Sequence, residues 1–185
     1  MLELLELSAV ILGFAYLIFI SFSRRIAWVF GIVSSLIYSY LAYSGAIYLQ
    51  AALQFSYVLL GIYGFVTWGK KEESQLKTWG FKRHLIYGIP TLLFALILGF
   101  VFSRTDQKLP YLDAFITAFA ILATYLTTQS ILENWIYWII LNLLSMYLWA
   151  KQGLDYTVFL SLINSLVAVF GFVLWSKKWK SGQVN

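Results

Sequence analysis

The chain contains no cysteine and a single histidine, His84. There is no disulfide and no thiolate chemistry to consider. Charge is equally scarce. Only 11% of the 185 residues are Asp, Glu, Lys or Arg, where a soluble domain carries about a quarter. None of the spacings HExxH, GxSxG, CxxC or a Walker loop occurs, so an enzyme would lack a recognisable nucleophile or metal site. No catalysis, cofactor or metal is expected. The last apolar run holds no lysine, which excludes a retinal Schiff base. The start, MLELLEL, lacks the basic residues of a signal peptide, so the first apolar run is expected to stay attached as a span.

What is present is apolar. Hydrophobic residues make up 61% of the chain, and the mean hydropathy is +0.79. A membrane-spanning helix needs about 20 such residues, and helices are required because lipid offers no partner for a free backbone amide. Leu7 to Ser23 reads as a first span, starting near Leu4. The uncharged run Ile26 to Gly69 holds two more, with a hairpin at Tyr43-Ser44-Gly45-Ala46. Leu85 to Ser103, Ala114 to Leu132, Asn134 to Ala150 and Tyr156 to Ser176 complete seven.

The spans repeat. A shift of 107 positions lays Trp28 on Trp135, Tyr40 on Tyr147 and Leu53 on Leu160. It lays Gly64-Phe65-Val66-x-Trp68-x-Lys70-Lys71 on Gly171-Phe172-Val173-x-Trp175-x-Lys177-Lys178, and Glu6 on Asp113. Spans one to three thus match spans five to seven, and span four is the linker that keeps the copies parallel. The predicted class is an all-α integral membrane protein in a 3+1+3 arrangement. Residues 1–71 form the first repeat, 72–109 the loop and linker helix, and 110–185 the second repeat.

The net charge of +5 could point to nucleic acid, but the basic residues sit between apolar runs and report topology instead. Ten lie on one side (Arg24, Arg25, Lys70, Lys71, Lys77, Lys82, Arg83, Lys177, Lys178, Lys180) and three on the other (Arg104, Lys108, Lys151). The positive-inside rule then places the N-terminus outside and the C-terminus in the cytoplasm. The lipid bilayer is the expected partner; a homo-oligomer is left open.

Polar residues inside the spans fall on stripes. Trp135, Trp138, Asn142, Ser145 and Trp149 share one helical face, as do Thr157, Ser161, Asn164, Ala168 and Gly171. The first half answers with Trp28, Gly31, Ser35, Tyr38 and Ala42, and with Gln50, Gln54, Tyr57, Gly61 and Gly64; span five adds Asp113, Thr117, Thr124 and Thr128. At about 1.5 Å per residue, Asn142 and Asn164 lie near the middle of a bilayer core about 30 Å thick, with Ser35 and Tyr57 at matching depths. Polar groups there must face a neighbour or a wet cavity. Such residues also glue helices without binding anything, and that alternative stays open for Ser145, Ser161 and Thr124. Trp68, Trp79, Trp175 and Trp179, beside lysines, read as interfacial belt residues; Trp28 and Trp135 lie near the same edge and read as belt or site. His84 reads as a solvated loop residue, and Glu6 and Asp113 as a cation-attracting mouth or simply as helix ends. With no ionisable group at mid-depth, coupling to a proton gradient is not expected. A cavity lined by aromatic and amide groups suits a flat ring, uncharged or cationic. The candidate ligand contacts are Trp138, Asn142, Ser145, Asn164, Gln54, Tyr57, Trp135, Ser35, Tyr38 and Thr124.

These residues carry a resemblance. Glu133-Asn134-Trp135-x-x-Trp138, followed by Asn142, Ser145 and Gln152-Gly153, resembles the signature of the PnuC vitamin transporters. So do Trp28-x-Phe30-Gly31, Tyr63-Gly64-x-x-x-Trp68 and Pro110-Tyr111-x-Asp113-Ala114-Phe115. The resemblance implies a bacterial inner-membrane protein with a seven-span fold related to the SWEET sugar carriers. It implies uptake of nicotinamide riboside by facilitated diffusion, with a cytoplasmic kinase trapping the product by phosphorylation; some members carry thiamine. It also implies that Trp138, Asn142 and neighbouring polar positions contact the ligand. Ser34-Ser35 stands where many members have an asparagine, and the loops are short. Both departures bear on which vitamin is carried. A membrane receptor or assembly subunit, its stripes serving only packing, is the alternative of another class.

Overall fold

The computed structural model describes residues 2–45, 48–69, 76–105 and 107–182. Lys70 and Lys71, which close the first copy of the repeated motif, lie outside these residues, as do Ala46 of the expected hairpin and the boundary between 71 and 72. Seven helices follow one another: α1 Leu2–Ser21, α2 Ala27–Ser44, α3 Tyr48–Gly69, α4 Phe81–Phe102, α5 Pro110–Thr128, α6 Asn134–Gln152 and α7 Asp155–Gly182.

By length and composition, six helices among the described residues could cross a membrane. The exception is α6, where seven such helices were expected. It carries Asn134, Asn142, Ser145, Lys151 and Gln152 together with three tryptophans and two tyrosines, all of which lower its mean hydropathy. α5 also differs from expectation, beginning and ending about one turn earlier. Pro110 occupies its first turn, where the missing amide hydrogen has no helical partner to lose. Its far end is set by Ser130, whose φ is +58°.

That turn is one of a pair. Ser23, its counterpart in the 107-residue shift, has φ +56°. After α1, the Ser23 amide donates to Ile20 O at 2.9 Å and the Arg24 amide to Phe19 O at 2.9 Å. After α5, the Ser130 amide donates to Thr127 O at 3.0 Å and the Ile131 amide to Leu126 O at 3.0 Å. These bonds correspond one for one, and both turns satisfy carbonyls that a helix C-terminus leaves without intrahelical donors.

The helix neighbours correspond as well. α1 packs on α2 and α2 on α3, while α5 packs on α6 and α6 on α7. The triplets meet where α3 packs on α5 and where α7 packs on α1. Exchanging α1 with α5, α2 with α6 and α3 with α7 maps this set of contacts onto itself. Six helices close a ring, and α4 packs outside it against α5. Outward faces are apolar, as at Ile97, Phe159 and Leu166. The segment before α4 is fastened to the second triplet. The Lys77 amide donates to Ser130 O at 2.9 Å, the Leu132 amide to Lys77 O at 2.8 Å, and the Trp79 amide to both Glu133 carboxylate oxygens at 3.2 Å.

The ring is plugged at its lysine-rich end. Trp28, Trp68, Trp135 and Trp175 are all buried there in one cluster, at most 5% exposed. Trp28 meets Trp68 edge-on, with centroids 5.4 Å apart, and Trp135 meets Trp175 in the same way at 5.5 Å. Such pairs add about 0.5–1.5 kcal/mol beyond the burial itself. The repeated glycines make room: a Cβ on Gly64 would lie 2.5 Å from the Trp28 ring, and one on Gly171 2.5 Å from the Trp135 ring. Trp68 Nε1 donates to Thr128 O at 3.0 Å, and Trp175 Nε1 to Ile20 O at 3.2 Å. Each indole therefore binds the last turn of the first helix in the opposite triplet. Trp68 and Trp175 are plug residues rather than an interfacial belt, and Trp28 belongs with them. Proximity to lysine marked their depth in the membrane but not the direction they face.

Candidate functional site

Above the plug the ring encloses a branched cavity. One lobe, about 110 Å³, runs between α1 and the second triplet, past Tyr16, Thr127, Asn134, Trp135, Trp138, Asn142, Asn164 and Ala168. A second, about 200 Å³, runs into the first triplet past Tyr16, Trp28, Gly31, Ser34, Ser35, Tyr38, Gln54, Tyr57 and Thr124, and again meets Trp138. Both continue into a vestibule of about 550 Å³. Its lining includes Gln50 and Thr157, near the starts of α3 and α7, and Trp149, near the end of α6. The vestibule thus reaches the lysine-poor end of the ring. Pockets of about 300–1,000 Å³ hold small metabolites.

All ten candidate residues lie on this cavity. Trp138 lines every part of it; Asn142 and Asn164 line the first lobe and the vestibule; Gln54, Tyr57 and Tyr38 line the second lobe and the vestibule. Trp135 is in the first lobe, Ser35 and Thr124 in the second, and Ser145 in the vestibule. Their hydrogen bonding separates them. Thr124 Oγ1 donates to Ala120 O at 2.8 Å within its own helix, so its donor is already used. Asn134, on the same helix as Asn142, is fully buried and held at both ends: its Oδ1 accepts from Thr127 Oγ1 at 3.1 Å and its Nδ2 donates to Ile131 O at 2.6 Å. Among the described residues, no such partner holds the side chains of Asn142, Asn164, Gln54, Tyr57 or Tyr16. A half-buried amide with free donors and acceptors has hydrogen-bonding capacity to offer a ligand. Asn134 is scaffold; Asn142 and Asn164 are available.

Two more donors are unsatisfied at the cavity floor. Trp28 Nε1 and Trp135 Nε1 are buried with no partner, and the two residues are counterparts in the repeat. Tyr16 and Gln50 also line the cavity without standing among the ten candidates. Gln50 was legible in its helical stripe. Tyr16 had no stripe to reveal it, because α1 is apolar all round.

Glu6 and Asp113 are not among the residues that line the cavity. Glu6 is exposed, and Asp113, in the first turn of α5, accepts a hydrogen bond from Gln107 Nε2. His84 is tied down rather than solvated: its Nδ1 lies 3.0 Å from the Tyr137 hydroxyl, and its ring packs near Trp79. Among the described residues no cluster of three His, Asp or Glu could hold a metal.

Residues 3–177 match the family described as nicotinamide mononucleotide transporter. The chain belongs to this family. The nicotinamide mononucleotide transporter family match spans all seven helices, so the ring, the plug and the cavity all lie inside it. Similar proteins include the nicotinamide riboside transporter PnuC of Neisseria mucosa, 26% identical over 95% of this chain and 73% of that protein. The nicotinamide riboside transporter PnuC of Escherichia coli K12 is 20% identical over 79% of this chain and 74% of that protein. A crystal structure of the vitamin B3 transporter PnuC superposes with a TM-score of 0.78 at 22% identity, covering 97% of this chain and 83% of that one. The fold is shared, and the chain is a multi-pass membrane transporter of the PnuC family.

Proposed function

We propose that this protein carries nicotinamide riboside into the bacterial cytoplasm by uniport, with phosphorylation inside by a separate kinase holding the product there. The observation that carries this reading is the cavity itself. Unpartnered amides at Asn142, Asn164 and Gln54 stand beside the aromatic faces of Trp138, Tyr57 and Tyr16, midway along the helices. A cationic heteroaromatic ring linked to a hydroxyl-bearing sugar matches both sets of groups. The curated relatives named above are nicotinamide riboside transporters, which favours that vitamin over thiamine.

The 3+1+3 division into residues 1–71, 72–109 and 110–185, with seven crossings and N-out/C-in orientation, is part of this proposal. It is supported by the paired turns, the exchangeable helix contacts and the charge asymmetry. In this orientation the vestibule faces outward and the tryptophan plug closes the cytoplasmic side. Transport then requires the plug to part while the vestibule narrows, the triplets rocking about the ligand. Among the described residues no charged side chain lines the cavity, which supports a cycle without proton coupling.

Titration of purified protein with nicotinamide riboside and thiamine tests the substrate. A thermal shift is expected with the former; at a hundredfold excess over Kd the stabilisation is about 2.7 kcal/mol. Stabilisation by thiamine alone would reassign the vitamin, and no response to either would favour a non-transporting role. Initial uptake into substrate-free proteoliposomes is expected to be unchanged when the proton gradient is dissipated; its collapse would refute uniport.

A further inference from the structure

Among the described residues, only Trp138 and Tyr16 line both inner lobes. Their positions are related by an exchange. In the 107-residue shift, Gly31 corresponds to Trp138 and Tyr16 to Ala123. In the second triplet, Trp138 on α6 packs against the cluster that holds buried Ala123 of α5. In the first triplet the large and small residues trade helices. Tyr16 on α1 lies over Gly31 of α2, so closely that a Cβ on Gly31 would fall 2.8 Å from the tyrosine ring. At the junction of the two lobes the pseudo-symmetric ring of helices thus places one aromatic from each triplet, delivered from α1 in one and α6 in the other. Tyr16 also packs against Trp28 of the plug, with centroids 6.0 Å apart, which braces its ring at the cavity floor. No hydrogen bond holds its hydroxyl among the described residues.

We infer that Tyr16 is a specificity-determining residue, the second wall of an aromatic clamp whose first wall is Trp138. Tyr16 selects a planar cationic ring, and Gly31 exists to seat it. This rests on the transport reading above and deepens it. Two ring faces, each carrying the negative side of its quadrupole, attract a flat cation and favour an uncharged, puckered ring far less.

The test is a titration of purified wild-type protein and the variants Tyr16→Phe, Tyr16→Leu, Gly31→Ala and Tyr16→Leu/Gly31→Ala. The titrants are nicotinamide riboside and its reduced, uncharged form; if thiamine is the tighter ligand, it replaces the former. Tyr16→Phe keeps the ring and is expected to stay within about threefold of wild type for the cation. Tyr16→Leu is expected to lose at least about tenfold for the cation and less than about threefold for the reduced form, so discrimination falls. A cation–π contact in a desolvated site accounts for a loss of that order. Gly31→Ala, which pushes the tyrosine ring aside, is expected to weaken cation binding in the wild-type background and to have no effect beside Tyr16→Leu. A simple packing role would instead lower the affinity for both forms equally. That equal loss, or wild-type discrimination in Tyr16→Leu, overturns the assignment. Wild-type protein that binds neither vitamin refutes the transport reading, and the clamp with it.

Discussion

If the tryptophan plug is the cytoplasmic closure, removing its two indole hydrogen bonds should release it. Trp68→Phe and Trp175→Phe each delete one donor and keep an aromatic ring. The two acceptors fare differently. Ile20 O keeps the Ser23 amide at 2.9 Å, so Trp175→Phe loses the net value of a hydrogen bond, about 1 kcal/mol. Thr128 O keeps only Thr67 Oγ1 at 3.3 Å, whose single proton lies closer to Tyr63 O at 2.9 Å, so Trp68→Phe loses at least about 1 kcal/mol. A further bond across the seam between α3 and the end of α5, Gln129 Nε2 to the Tyr63 hydroxyl at 3.0 Å, remains in both variants. The double variant thus loses at least about 2 kcal/mol of closure, a population shift of at least about 30-fold toward the cytoplasm-open state. The natural chain has no cysteine, so a single Ala168→Cys provides a clean reporter. Ala168 is 3% exposed, beside the plug and on the first lobe. In inside-out vesicles, its rate of modification by a membrane-impermeant maleimide should rise by at least about 30-fold in the double variant. An unchanged rate in correctly folded double variant would refute the gating role and leave the tetrad as plain packing.

Asn142→Leu is expected to weaken nicotinamide riboside binding by at least about tenfold while the protein inserts and melts normally, because the amide it removes holds nothing in the unliganded protein. Asn134→Leu should do the reverse on stability: it removes two side-chain hydrogen bonds, while Thr127 Oγ1 still donates to Ala123 O and Ile131 O still accepts from the backbone amide at 134, so the cost should be about 1–2 kcal/mol, read as a lowered Tm. Gly64→Ala and Gly171→Ala should each destabilise by about 1–3 kcal/mol through the indole each displaces, with similar losses of Tm; a large difference between them would contradict their equivalence.

Much of this was legible in the sequence because lipid imposes a simple grammar. Uninterrupted apolar runs gave the helices, and the polar stripes gave the cavity walls: Asn142 and Asn164 could hardly face acyl chains. Three things were harder to read. Among the described helices α6 alone is too polar to pass as a span by composition, and part of that polarity is cavity lining at Asn142 and Ser145, so the property that marks a span and the property that marks a site oppose each other. Trp68 and Trp175 sit beside lysines as belt residues do, and only the glycine four positions earlier, in both copies, hinted that an indole packs inward there. Tyr16 lies in a helix without periodicity, and its importance appears only once Gly31 is seen against it.

The ring of helices treats its two tasks differently. The closure survives in duplicate: Trp28 and Trp135, Trp68 and Trp175, Gly64 and Gly171 are the same residues written twice. The lining has drifted apart, with Ser35 opposite Asn142, Tyr38 opposite Ser145, Gln54 opposite Ser161 and Tyr57 opposite Asn164. A chamber that kept its two-fold pairing could greet a ligand without a two-fold axis equally well in two poses and hold neither firmly. Hinges profit from balance; a lock needs a key with one right way up.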